Sequence, residues 1–145
     1  MDLNSLSMDE LPYSLEAEQT VLGAILLNAD TLSIAMNHVK PESFYISMHK
    51  ELFAIIVRLF SLGVNSDIIT VLDEAVKAKV FENSQVGKEY LATITEAVPT
   101  TKNIESYCRI VEEKYYIRSL ITASREIIDM CSSGGEDAAQ LLDYA

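Results

Sequence analysis

Apolar residues recur at helical spacing along almost the whole 145-residue chain. Val21, Leu22, Ile25 and Leu26 share one face of residues 16–27, the i, i+3, i+4 rhythm of an amphipathic helix. Leu32, Ala35, Met36 and Val39 repeat it over 31–39, with Asp30 placed to cap the segment. Pro41-Glu42-Ser43-Phe44 predicts a single turn that carries Phe44 and Tyr45 toward the core. The most apolar helix is expected over 47–62. Its polar residues Lys50, Glu51, Arg58 and Ser61 occupy one narrow arc, so most of its circumference, Phe53 and Ile56 included, should be buried. Gly63 supplies the stop.

Asp67 can cap the next helix, with Ile68, Leu72, Ala75 and Val76 inward. Residues 82–87 read as a polar connection to a helix that carries Tyr90, Leu91, Ile94 and Val98 and stops at Pro99. Helical spacing then runs from Asn103 to Cys131, about 42 Å. Ser132-Ser133-Gly134-Gly135 breaks it, and Glu136 begins a further helix with Ala138, Leu141 and Leu142. No useful length of chain alternates apolar and polar residues, and Pro12, Pro41 and Pro99 all lie between periodic segments. The expected fold is all-α. A flexible leader (1–12) precedes a small globular bundle of about six helices (13–102), and a long helix beginning a helical hairpin follows (103–145).

The long helix changes faces. Ile104, Tyr107, Cys108, Val111 and Tyr115 fall in one arc, whereas Ile117, Leu120, Ile121, Ile127, Ile128 and Cys131 fall in another, rotated by roughly 150°. A helix lying on one core keeps one stripe. Either loops or the leader cover the second stripe, or the helix leaves the body as an arm and returns as a hairpin. Such an arm exposes more apolar surface than a soluble monomer usually carries, so it should pair with another chain. Ile117, Leu120, Ile121 and Ile128 are the expected centre of that interface, with Tyr116 at its rim. The pattern stops at Ala145 without a C-capping signal, which reads as a truncated hairpin with its return arm and later domains missing.

Composition narrows the function. At 49% hydrophobic and 23% charged the chain is an ordinary globular one. Eleven basic residues against 22 acidic ones leave a net charge of −11, which opposes binding to a phosphate backbone. The longest apolar run, from Leu52 to Val57, is far short of a bilayer span, and the N-terminus lacks the regions of a signal peptide. A cytoplasmic protein is expected. Cys108 and Cys131 lie about 34 Å apart on one helix, too far for a disulfide, and core packing is expected of both.

No catalytic constellation assembles. A phosphate loop is missing, since Gly87-Lys88 is followed by Glu89 and lacks the upstream glycine. His38 and His49 stand alone without metal-ligand spacing, and no serine sits in a nucleophile elbow. The acidic pairs Asp73-Glu74 and Glu112-Glu113 diverge from one another on helices. Arg109, Lys114, Arg118 and Arg125 are offset by Glu105, Glu112, Glu113 and Glu126, as on a solvated charged face. No catalytic, cofactor-binding or metal residue is assigned, and the fragment is expected not to be an enzyme.

Three stretches together carry a resemblance. Residues 15–26, Leu-Glu-Ala-Glu-Gln-Thr-Val-Leu-Gly-Ala-Ile-Leu, come first. Phe44-Tyr45, His49, Leu52-Phe53, Asp67 and Ile69-Thr70 follow. Tyr90-Leu91, Pro99-Thr100, Asn103, Tyr107, Ile110-Val111-Glu112-Glu113-Lys114, Arg118 and Leu120-Ile121 complete the set. In order and spacing the chain resembles the N-terminal domain of the bacterial replicative DNA helicases, the DnaB family, from about Leu11 to Ile128. The resemblance implies an all-α globule followed by a helical hairpin, without an ATPase. Hairpins of neighbouring subunits would pair, and a hexameric collar, a trimer of dimers, would serve as docking platform for primase and influence helicase loading, which brings in a helicase loader. ATP, magnesium and DNA would belong to a motor domain outside these residues. A stand-alone helical adaptor or dimerisation module unrelated to replication is the alternative, and an enzyme with an unfamiliar helical active site a third.

Overall fold

The computed structural model describes residues 11–135 and 137–145. Its elements are α1 (Leu15–Leu27), α2 (Thr31–Met36), a short 3-10 turn (Pro41–Ser43), α3 (Ser47–Ser61), α4 (Ile68–Lys77), α5 (Ser84–Glu96), α6 (Ile104–Ser133) and α7 (Ala138–Tyr144). Every regular element among the described residues is helical. The expected leader falls mostly on residues 1–10, outside the described residues. Among the described residues no helix is long and apolar enough to cross a membrane.

Helix α1 is the axis of the globule. Ala17, Val21, Leu22, Ala24, Ile25 and Leu26 are all buried, and α2, α3, α5 and α6 pack around it. The core is completed by Leu52, Phe53, Ile56 and Leu59 of α3, Val71 and Ala75 of α4, Leu91 and Ile94 of α5, and Ile104, Cys108 and Val111 of α6. Gly23 lets α1 and α5 touch. A Cβ there would lie 2.4 Å from the Ile94 carbonyl oxygen.

Several boundaries differ from the sequence reading. Helix α5 begins at Ser84, inside the expected polar connection, because the Asn83 side chain accepts from the Val86 amide. Gly87 is then a buried helical position, whose missing Cβ makes room for Leu72 and Phe81. Helix α2 stops at Met36, although Val39 still reaches the core. Asp30 precedes it but makes no side-chain cap. Instead Asn28 accepts from the Asp30 amide, and its carbonyl from the Thr31 hydroxyl.

Helix α3 buries Phe53 and Ile56 as expected but leaves Phe60 exposed, as is Leu62 just past its end, so its circumference is less covered than its composition suggested. Phe44 is wholly buried, whereas Tyr45 is half-buried and stacks on Tyr13. The α6 helix continues through Ser132 and Ser133 and ends at Gly134, in the left-handed region at φ +67°. Glu136, the expected start of the last helix, lies outside the described residues. Asp137 caps α7 in a reciprocal box with Gln140.

Candidate interaction surface and its anchor

Helix α6 is about 45 Å long and leads two lives. Its first half closes the core through Ile104, Cys108 and Val111. Burial, with Glu105 and Glu112 nearby, pushes the Cys108 thiol up to about 12. The second half buries no side chain after Arg118 among the described residues. Of the five residues expected to form an interface, Leu120 is 67% exposed, Tyr116 57%, Ile128 41% and Ile117 36%; Ile121 is half-buried. They run along one side of the arm. Cys131 is exposed on the same side, so the expected core role belongs to Cys108 alone. Past Gly134 the chain turns and α7 returns along α6, where the Tyr144 hydroxyl bonds to Glu126. Leu142 and Tyr144 remain exposed.

Arg118 departs from the solvated face expected of it. Only 8% exposed, it donates from Nη1 to the Pro12 carbonyl and from Nη2 to the Ser43 carbonyl, each at 2.8 Å. The guanidinium lies over the Tyr45 ring at 5.3 Å and near that of Tyr115 at 6.0 Å. Burial lowers its pKa, while the field of Glu18 opposes that shift. The signal was present in the helical geometry: Arg118 projects within about 20° of both Tyr107 and Val111, inside the body-facing arc. The other charges of that run do lie at the surface or half-buried.

Behind Arg118 sits a buried polar network. Glu18 accepts from the amides of Tyr45 (2.9 Å) and Ile46 (3.3 Å) and from Nδ1 of His49 (2.9 Å). Nε2 of the same ring hydrogen-bonds with the Tyr90 hydroxyl at 2.6 Å, and Gln19 donates to the same oxygen. Burial raises the Tyr90 pKa and so keeps the phenol a donor. His49 therefore does not stand alone. It joins α1, α3 and α5, but with no exposure to solvent it cannot reach a substrate. His38 lies between Glu105 (3.3 Å) and Glu112 (3.7 Å) of α6. Among the described residues no group of His, Cys, Asp or Glu could hold a metal ion. Among the described residues, the surface offers an apolar stripe along the second half of α6.

A family model described as the DnaB-like helicase N-terminal domain matches residues 10–113. The chain belongs to that family. The match ends close to where the DnaB-like globule gives way to the arm. Replicative DNA helicase DnaB of Geobacillus stearothermophilus is 37% identical over 134 residues, which cover 92% of this chain and 29% of the relative. Replicative DNA helicase DnaB of Treponema pallidum is 40% identical over 116 residues, 80% of this chain and 26% of that protein. The chain thus spans less than a third of the length of these DnaB relatives. The crystal structure of the N-terminal domain of DnaB helicase from Mycobacterium tuberculosis matches with a TM-score of 0.85 at 31% identity, over 92% of this chain and 94% of that one. So high a coverage carries the DnaB likeness beyond residue 113 into the arm.

Proposed function

We propose that this chain is the non-catalytic N-terminal assembly domain of a hexameric replicative DNA helicase. The globule supports the arm, the arm pairs with a second copy, and paired copies build a collar that docks primase and influences loading of the helicase. In this reading the domain works in the cytoplasm, and ATP, magnesium and DNA are handled by a motor domain elsewhere in the protein. The observation that supports it is the outward stripe of α6, whose residues Tyr116, Ile117, Leu120, Ile121 and Ile128 continue a helix that the globule covers only on its other face. Each aliphatic side chain buried between arms would contribute about 1.5–3 kcal/mol of transfer free energy. The net charge of −11 speaks against a direct role on DNA.

Sedimentation of the chain and of Ile121→Glu tests this reading. A carboxylate on the stripe loses the apolar gain and adds the cost of burying an unpaired ion. The expected result is a self-associating parent and a variant shifted toward monomer with unchanged helicity. A parent that stays monomeric at high concentration, or a variant that associates equally well, would refute the pairing. ATP turnover above blank by the pure chain would refute the non-catalytic assignment.

A further inference from the structure

Among the described residues Arg118 is the last buried side chain of α6, and a cleft lies past it on the body side. A cleft of about 410 Å³ separates Ser119, Thr122, Ala123 and Glu126 of the arm from Glu42 and Lys50 of the globule. Among the described residues no α6 side chain beyond Arg118 is buried, so none of them anchors the arm against a tilt toward that cleft.

The two carbonyls that receive Arg118 belong to chain segments far apart in sequence, Pro12 ahead of α1 and Ser43 at the end of the 3-10 turn. The second receiver is fixed independently of the arm. Ser43 Oγ accepts from the Lys40 amide and the Ser43 amide donates to the Lys40 carbonyl, the Phe44 amide donates to the Pro41 carbonyl, and the amides of Tyr45 and Ile46 donate to buried Glu18. A planar guanidinium bonded at two points to a fixed frame is held in direction as well as in place.

We propose that Arg118 is the pivot that sets the angle at which the arm leaves the globule, acting as a positioning residue for the stripe. It orients the arm through Pro12 and Ser43, and Glu18 on the far side of the turn keeps that frame still. From Arg118 to Ser133 the arm spans about 22 Å, so a tilt of about 10° moves its tip by about 4 Å. The pivot holds whether or not the stripe pairs with a second copy.

The test is a distance measurement within one chain. A spin label on Cys131, near the arm tip, is paired with one on Gln85→Cys, an exposed position at the start of α5. Cys108 is buried and its thiol pushed up to about 12, so it escapes labelling. Doubly labelled chain is diluted into an excess of unlabelled chain, which removes distances between copies. Pulsed electron resonance should give one narrow distance with Arg118 in place. In Arg118→Lys, whose single ammonium cannot make both bonds in one plane, and in Arg118→Met, the distribution should shift or broaden by about 4 Å. Unchanged helicity and a still-unreactive Cys108 would show that the globule persists; should the Met variant alone lose it, the Lys variant decides. Distributions that superimpose on the parent overturn the proposal. So does a Cys108 that becomes reactive in both variants, because Arg118 would then hold the fold together and not direct the arm.

Discussion

Glu18 carries the densest polar load in the globule: three donors converge on one carboxylate almost out of contact with water. Removing it leaves two amides and an imidazole N–H without their carboxylate acceptor in the buried interior. Glu18→Ala should therefore cost roughly 3–5 kcal/mol of unfolding free energy, read from urea transitions. Glu18→Gln should cost less, since its carbonyl still accepts while its amide group meets a donor. A loss below about 1 kcal/mol for the alanine variant would mean that the network adds nothing beyond packing. None of this was legible at the level of single residues. His49 is 31 positions from Glu18, and Tyr90 another 41 from His49, and helical periodicity relates only neighbours on one helix. Arg118 was missed differently: its angle was available, but its charge argued for solvent, and backbone carbonyls from elsewhere in the chain reversed that argument.

Elements were legible where apolar spacing was regular. The long helix, its two faces and the all-α class followed from arithmetic at 100° per residue, and the structure bears out the fold. Ends were harder. The start of α5 rests on one Asn83 cap within a polar run, and the end of α2 on local turns, neither of which alters the apolar pattern. The contact of α1 with α5 turns on Gly23, and it sets a further prediction. Alanine would gain helix propensity, by about 1 kcal/mol at most. Its Cβ, however, would sit 2.4 Å from a backbone oxygen that cannot swing aside and 2.7 Å from Val98. Gly23→Ala should destabilise the globule by a net of roughly 1–3 kcal/mol, measured as a lowered urea midpoint. A neutral or stabilising result would show that α1 and α5 separate easily.

At the scale of the molecule, a globule with its own core carries an arm that shares no core with it, and one uninterrupted helix belongs to both. Cooperative unfolding and local opening consequently divide that helix between them. Amides in its first half lie over Ile104, Cys108 and Val111 and should exchange with deuterium only when the globule unfolds. Those after Arg118 rest on a short stretch of helix that is marginal by itself in water. They should exchange orders of magnitude faster, although no proline interrupts the helix and no glycine lies within it. A single protection level from Ile104 to Ser133 would contradict this. At high concentration, protection gained only after Arg118 would register pairing of the arms in time rather than in mass. The continuous α6 helix would then act as its own clock, its near end timing the fold and its far end the assembly.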